Sequence, residues 1–166
     1  ISSVFVPGET LISNSSEEPE VEDLINFLNS MGAEIEKPET GKIKIMGVSI
    51  FKNTTFEVCS DKSEIAMFAT LAVLTRGNIS IKNIKRDLVL QFINFLNKIG
   101  ARFEFSENEL RVWRHEEGLI PQNLEISPTP GFVPDWQSLA VLLLTQANGE
   151  STVHDTVYVD RFGYCV

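Results

Sequence analysis

The feature of the sequence that most constrains the fold is an internal repeat. A glycine-led segment occurs three times, at residues 8–14, 77–83 and 149–155. The first two copies are each followed by a second shared segment, at residues 23–33 and 91–101, and both of these have the centre Asn-Phe-Leu-Asn. Matches of this length at a regular interval are typical of a protein built from copies of one supersecondary unit.

Each copy predicts the same order of elements. The glycine-led segment alternates apolar and polar side chains, which is the pattern of a half-buried strand. The shared segment that follows places apolar residues at helical spacing, with Pro19 suited to a first turn and Gly32 or Gly100 to the residue after the last turn. Hairpins are predicted at 34–45 and 102–113, and second helices at 63–75 and 135–146. The predicted fold class is α/β (α+β), with the unit β-α-β-β followed by β-α.

Composition excludes several classes of function. A formal charge of −9 among 166 residues repels a phosphate backbone, so nucleic acid is not an expected partner. The longest apolar run, Leu139–Leu144, is far shorter than the roughly 20 residues that cross a bilayer, and the opening residues do not have the basic-then-apolar pattern of a leader, so we expect neither a membrane partner nor secretion. Cys59, in an apolar strand context, and Cys165 suggest neither a disulfide framework nor a zinc site. Both are expected to be inert thiols in a cytoplasmic protein.

Asp61 and Asp135 occupy equivalent positions in the repeat, each at the front of a second helix. A short acidic side chain at that place accepts hydrogen bonds from the first backbone N–H groups of a helix. From the residues alone, we favour this capping role over catalysis for both aspartates.

Three motifs in the last third of the chain carry a family resemblance. They are Pro-Gly-Phe-Val-Pro-Asp-Trp-Gln at 130–137, Thr-Gln-Ala-Asn-Gly at 145–149 and Thr-Val-Tyr-Val-Asp-Arg-Phe at 156–162. Together with Glu-Pro-Glu at 18–20 and the helix behind it, they resemble the UDP-N-acetylglucosamine 1-carboxyvinyltransferases, which are enolpyruvyl transferases of peptidoglycan synthesis. The resemblance runs through nearly all of the sequence.

This resemblance implies an inside-out α/β barrel fold, in which each of two domains contains three repeated β-α-β-α-β-β units and the active site lies between the domains. About two and a half units are present here. Residues 1–59 would then be the end portion of one domain and residues 60–166 part of the second, joined by a crossing strand near Asp61 that acts as a hinge. The chain opens on Ile1 and is short for the family, so we expect a piece of a longer enzyme.

The resemblance also implies a reaction, the transfer of enolpyruvate from phosphoenolpyruvate to the 3-hydroxyl of UDP-N-acetylglucosamine, with no metal or organic cofactor. Asp135 matches the base of the family, and a helix N-terminus would favour its ionised form. Arg161 matches an anion-binding arginine, although it could instead pair with Asp155 or Asp160 on the surface. Val157 matches a backbone contact to the nucleotide sugar, and Glu18 matches an acid that lines the cleft.

Departures from the family pattern leave alternatives open. The sequence has Glu17 and Val159 where the family has an arginine and a glutamate, it has Lys62 in place of another arginine, and it lacks the loop with the reactive cysteine. The alternatives are transfer to another acceptor, such as shikimate phosphate or a different nucleotide, and a catalytically silent binding protein. We expect no turnover from the 166 residues alone. Exposed apolar helix faces could drive self-association.

Overall fold

A computed structural model describes residues 1–114 and 117–165 of the chain. Contacts within the chain divide it into two compact units, Ile1–Cys59 and Ser60–Val166. Each unit contains its own hydrophobic core, so each is described by itself. None of the helices in the described part of the chain is long and apolar enough to cross a membrane.

The first unit is a three-stranded antiparallel sheet covered by one helix. After a 3-10 helix at Ser2–Phe5, its elements are β1 (Glu9–Ser13), α1 (Pro19–Ser30), β2 (Glu34–Glu36) and β3 (Lys42–Met46). The strand order is β1-β3-β2. Helix α1 buries Ile25 and Leu28, which join a small core with Val4 and the inward-facing residues of β2 and β3. The alternation of β2 and β3 accounts for their inward residues, whereas α1 buries Ile25 and Leu28 and leaves the predicted apolar residues Leu24 and Phe27 38% and 36% exposed.

The second unit repeats this plan and extends it. Its elements are α2 (Lys62–Leu74), β4 (Asn78–Lys82), a 3-10 turn (Arg86–Val89) leading into α3 (Leu90–Lys98), β5 (Arg102–Ser106), β6 (Glu109–Trp113), β7 (Leu124–Ile126), a 3-10 turn (Pro134–Trp136) leading into α4 (Gln137–Leu144), β8 (Val153–Asp155) and a final 3-10 turn (Gly163–Cys165). Strands β4, β6 and β5 form an antiparallel sheet in that order, which matches the order β1-β3-β2 of the first unit.

The predicted repeat is confirmed for its first two copies, with strand, helix and hairpin in the expected order. The glycines after α1 and α3 have the left-handed conformation that was predicted, with φ values of 105° at Gly32 and 82° at Gly100. The third glycine-led copy also forms a strand, β8. It pairs in parallel with β7, a strand that the repeat did not predict.

Aromatic packing fixes the segment that precedes α4. Trp136 is 3% exposed and makes edge contacts with Phe92 of α3, at 5.5 Å between ring centroids, and with Phe132, at 5.4 Å. Phe132 also meets Phe95 edge-on at 5.3 Å. Such pairs stabilise by about 0.5–1.5 kcal/mol each beyond the area that they bury. Residues 132–136 are therefore held firmly against the core of the second unit.

The predicted crossing strand is wrong. Residues 51–61, all described by the structure, contain no strand and have no sheet partner. The side chain of Val58 is 73% exposed, and Cys59 is half-buried in this irregular segment. Alternating apolar residues at 56 and 58 imitate a strand in sequence. An isolated extended segment is not a strand, however, because the unit of stability in a sheet is a pair of strands.

Candidate functional site

Asp135 lies at the centre of the 3-10 turn Pro134–Trp136. Val133, in an extended conformation, precedes the turn, and Pro134 occupies its first position, where the fixed φ of proline suits a helical turn. The buried ring of Trp136 anchors the following residue. The side chain of Asp135 is 57% exposed, so the fold presents this carboxylate to solvent on a rigid turn.

The predicted capping role of Asp135 is wrong, whereas that of Asp61 is confirmed. Asp61 accepts hydrogen bonds from the backbone N–H groups of Ser63, at 2.7 Å, and Glu64, at 3.2 Å. Within residues 133–145, all of which the structure describes, neither the 3-10 turn nor α4 has a side-chain cap, and Trp136 stands at the cap position of α4. The 3-10 turn places Asp135 inside the helical segment rather than before it, and this removes the capping geometry.

Arg161 lies next to Asp135. Its Nη2 is 3.9 Å from Oδ1 of Asp135, and its guanidinium lies over the ring of Tyr158 at 4.9 Å. Arg161 therefore pairs with Asp135 and not, as the alternative held, with Asp155 or Asp160. Both members of the ion pair are exposed and at the limit of pairing distance, so their attraction contributes no more than about 1 kcal/mol. The two groups therefore stay accessible to a ligand.

Val157 lies in the turn that connects β8 with Arg161. Asp155, the last residue of β8, shapes this turn, since its Oδ1 accepts from the N–H groups of Val157, at 2.8 Å, and Tyr158, at 2.9 Å. The N–H of Val157 is thus already committed. A contact from the backbone of Val157 to a ligand would have to come from its carbonyl oxygen.

A buried amide that the sequence analysis missed links these two segments. Gln137 is 1% exposed. Its Nε2 donates to Oδ2 of Asp155 at 2.6 Å, and its Oε1 accepts from the hydroxyl of Tyr164 at 3.0 Å. Burial raises the pKa of that hydroxyl, which favours its role as a donor. Gln137 closes the Pro-Gly-Phe-Val-Pro-Asp-Trp-Gln motif, but the motif does not reveal its role, because its partners lie 18 and 27 residues further along the chain.

Glu18 lies in the first unit, at the residue before α1. It is half-buried, and its N–H donates to Oγ of Ser16 at 3.2 Å. Its side chain makes no capping hydrogen bond to α1, and Pro19 opens that helix as predicted. The structure thus brings Asp135, Val157 and Arg161 together in the second unit and describes Glu18 separately in the first.

The neighbouring acid, Glu17, is committed to the fold. Its carboxylate accepts from Nζ of Lys37 at 2.9 Å and from the backbone N–H of Gly41 at 2.7 Å. The hydrogen bond from Lys37, followed by the one from Gly41, lowers the pKa of Glu17 below its usual range. Where the family resemblance has an arginine, this chain therefore has an acid that ties the start of α1 to the β2–β3 hairpin.

Cys59 is in a setting that disfavours the reactive thiolate. Burial raises its pKa, and the nearby charges of Asp23 and Glu20 add to the effect. Cys165, by contrast, is exposed. Among residues 1–114 and 117–165, no three His, Cys, Asp or Glu side chains are grouped so as to hold a metal ion.

Comparison with known proteins adds to this geometry. The family profile of EPSP synthase (3-phosphoshikimate 1-carboxyvinyltransferase) matches residues 1–165. A UDP-N-acetylglucosamine 1-carboxyvinyltransferase of Chlamydia abortus is 37% identical over 99% of this chain and 37% of its own length. UDP-N-acetylglucosamine 1-carboxyvinyltransferase 1 of Clostridium acetobutylicum is 35% identical over 98% of this chain and 38% of its own length.

A solved structure has the same fold. The enolpyruvyl transferase NikO from Streptomyces tendae superposes with a TM-score of 0.86 at 22% identity, and the match covers 98% of this chain and 39% of that one. The chain belongs to the EPSP synthase family of carboxyvinyltransferases. The resemblance and the fold class inferred from the sequence are thereby confirmed. The chain spans less than two fifths of the length of the curated relatives described above.

Proposed function

We propose that the protein containing this chain transfers enolpyruvate from phosphoenolpyruvate to the 3-hydroxyl of UDP-N-acetylglucosamine. The observation that carries the proposal is the meeting of Asp135 and Arg161, whose side chains come within 3.9 Å although they belong to separate sequence motifs. The names of the curated relatives support UDP-N-acetylglucosamine as the acceptor. The reaction would take place in the cytoplasm.

Asp135 is the proposed base. Its exposed carboxylate accepts the proton of the sugar hydroxyl as the oxygen forms a bond to C2 of phosphoenolpyruvate, while C3 takes up a proton. In the second step C3 loses a proton, the C2–C3 double bond forms again, and the bond from C2 to the phosphate oxygen breaks to release inorganic phosphate. A carboxylate is a weak base, so proton removal accompanies bond formation.

Arg161 is the proposed anion contact. A guanidinium binds phosphate or carboxylate oxygens in pairs, and Tyr158 supports one face of this one. The distance of 3.9 Å to Asp135 is long enough for an incoming anion to replace the carboxylate as the partner of Arg161. Binding of that anion would then leave Asp135 free to accept the hydroxyl proton.

Val157 and Glu18 complete the proposed set. The carbonyl oxygen of Val157 would accept from a hydroxyl of the nucleotide sugar, since its N–H is bonded to Asp155. Glu18 would line the substrate cleft. We assign residues 1–59 to the end portion of one domain and residues 60–166 to part of the second.

A second acceptor has one observation in its favour, because the description of the matching family names 3-phosphoshikimate. The names of the curated relatives favour the nucleotide sugar. Phosphate release should therefore be measured with each acceptor, using protein expressed from its complete reading frame. Faster transfer to shikimate 3-phosphate would exclude our choice of acceptor, and transfer to neither would favour a silent binding protein.

The role of Asp135 is tested in the same assay. Replacement by alanine should lower the rate about 10²–10⁴-fold, as is typical for a positioned acid–base group. A rate within a few-fold of the parent would refute the base assignment.

The 166-residue chain by itself should release no phosphate in the same assay. Light scattering of that chain would detect self-association through its exposed helix faces.

A further inference from the structure

We propose that Gln137 is a positioning residue for the transfer site. Its side chain fixes the position of the turn at 155–161 relative to Asp135. The inference rests on the proposed function, because it assigns Gln137 a role in the work of Asp135 and Arg161. Gln137 itself is buried and would not touch a substrate.

Gln137 and Asp135 belong to the same short segment of the chain. Gln137 is the first residue of α4 and lies two positions after Asp135. The rings of Trp136 and Phe132 fix this segment against the core. Asp135 and Gln137 are therefore parts of one rigid segment, with the carboxylate directed to solvent and the amide directed inward.

The side-chain amide of Gln137 holds Asp155, the residue that shapes the turn before Arg161. Asp155 uses one carboxylate oxygen for Nε2 of Gln137, at 2.6 Å, and the other for the N–H groups of Val157 and Tyr158. A single carboxylate thus connects the buried amide to the turn. Tyr158 in turn supports the guanidinium of Arg161. Gln137 is thus connected to Val157 through Asp155, and to Arg161 through Asp155 and Tyr158.

The amide oxygen of Gln137 is also bonded. Oε1 of Gln137 accepts from the hydroxyl of Tyr164, which lies beyond Arg161 in sequence. Gln137 therefore holds the segment that carries Arg161 on both sides, at Asp155 and at Tyr164. An amide supplies the donor and the acceptor that these two contacts require, which an apolar or an ionised acidic side chain does not. Buried groups bonded in this way strongly disfavour other arrangements.

Without this amide the turn would lose its fixed distance to Asp135. Oδ2 of Asp155 would be left without its partner inside the protein, and the turn would move to reach another donor or water. Arg161 moves with the turn, whereas Asp135 stays with α4. Small displacements of groups that orient a substrate lower rates strongly, by as much as about 100-fold for 1 Å.

The test compares Gln137→Met, which keeps the length of the side chain and removes both hydrogen bonds, with the parent protein, each expressed from its complete reading frame. The matched control is Asn29→Leu. Asn29 is also an amide with one donated and one accepted bond, both to the backbone of Ile35, and it lies outside the proposed site. Hydrogen exchange of the Val157 and Tyr158 amides reports on the turn, and kcat and KM report on catalysis.

We expect faster exchange of both amides in Gln137→Met and a kcat lower by about 10- to 100-fold. Asn29→Leu should lower the melting temperature while leaving kcat within about 3-fold, which is well below the effect expected for a positioning residue. Combined with Arg161→Ala, Gln137→Met should cost little further rate, because residues that act through one another are not additive. Unchanged exchange, an unchanged kcat, or full additivity with Arg161→Ala would each overturn the inference.

A conservative variant supplies a pH readout. In Gln137→Glu the new carboxyl lies between the carboxylate of Asp155 and the hydroxyl of Tyr164. Arg161 and Cys165 lie close enough to Tyr164 to interact with its hydroxyl. A protonated carboxyl can donate to Asp155 as the amide does, but two ionised ones repel. We expect near-parental kcat at low pH and a fall as pH rises, whereas Gln137→Met is slow throughout. The same decline in the parent protein would count against this role.

Failure of the proposed function has a different signature. If the parent protein transfers no enolpyruvate, or if Asp135→Ala is as fast as the parent, the proposed function fails whatever the exchange data show. If Asp135→Ala is slow while Gln137→Met is not, the proposed function stands and the positioning role is overturned.

Discussion

The starts of α2 and α4 are equivalent in the repeat, yet their aspartates do different work. Asp61 accepts hydrogen bonds from two backbone N–H groups of α2, so its carboxylate has a structural role as a helix cap. Asp135 lies within a 3-10 turn and caps neither helical element in residues 133–145. Its Oδ1 lies 3.9 Å from Nη2 of Arg161, and both side chains are exposed. The difference shows how one short turn at the start of a helix can change a structural acid into one that is open to chemistry.

The start of α1 gives a third case. Glu17 is bonded to Lys37 and to the backbone of Gly41, so it resembles Asp61 in being committed to structure. Among these three acids, only Asp135 keeps a carboxylate with no backbone hydrogen bond in the described part of the chain. If this distinction has a functional meaning, substitutions at the three acids will affect activity and stability differently.

The largest expected effect separates activity from stability at the two aspartates. Asp135→Ala should lower the transfer rate about 10²–10⁴-fold, since it removes the proposed base. Its free energy of unfolding should change by no more than about 0.5 kcal/mol, as is usual for exposed side chains without structural bonds. Steady-state kinetics and urea unfolding measure the two quantities. A large loss of stability with little loss of rate would reverse our reading of Asp135.

Asp61→Ala should show the opposite behaviour. Loss of a side-chain cap costs about 0.5–2 kcal/mol of unfolding free energy, because two N–H groups of α2 lose their acceptor. Asp61→Ser should recover most of this loss, since serine also accepts at a helix start. Urea unfolding of the three proteins measures the difference. Equal stability of the alanine variant and the parent would show that the cap contributes nothing.

Arg161→Lys tests the other side of the site. Lysine keeps the charge but loses the planar group that lies over Tyr158 and pairs with anions. A hydrogen bond typically contributes about 0.5–1.5 kcal/mol, so loss of one of the paired contacts to the anion should weaken binding of the nucleotide sugar by about that amount, which titration calorimetry can resolve. Arg86, which lies 5.8 Å above Phe105, provides a matched control because Arg86→Lys alters the same kind of contact outside the site. Equal losses in both variants would mean that Arg161 has no special role in binding.

The smallest expected effect is the acid dependence of stability due to Glu17. Its pKa is lowered in the folded protein, so its contribution is present above the ordinary glutamate pKa of about 4.3 and is lost as pH falls through the lower folded value. In Glu17→Gln the free energy of unfolding should therefore fall less between neutral and acidic pH than in the parent. Lys37→Met removes the main cause of the shift and should act in the same direction. Identical pH profiles in all three proteins would contradict this account.

The parts of the fold that sequence could predict are those governed by local periodicity. Alternation and helical spacing place residues on faces wherever they occur, so the elements β1 to β6 and α1 to α3 follow from two copies of one pattern. The crossing strand failed for the same reason, because the apolar residues at 56 and 58 alternate without a partner strand beside them. Periodicity predicts the shape of a segment but not what lies next to it.

The site was predictable only where motifs carried it. Asp135, Val157 and Arg161 were selected through the family resemblance, and their proximity required the structure. Gln137 belongs to the same motif as Asp135, but its structural role could not be predicted, since that role depends on distant partners that a local pattern does not contain. The cap predicted at Asp135 failed because a 3-10 turn, which often precedes an α-helix, moves the cap position of α4 to Trp136.

The parallel pairing of β7 with β8 has a consequence for the order in which the molecule assembles. Strands β5 and β6 join across a tight turn, so they can meet as soon as both leave the ribosome. Strand β7 must wait for β8, because Leu124 pairs with Val153 only after all of α4 has been synthesised. Contacts between distant residues cost more chain entropy and form later. We therefore expect a nascent chain to form both hairpin sheets while Arg161 and Asp135 are still apart, so that these two side chains meet only after the hairpins have folded.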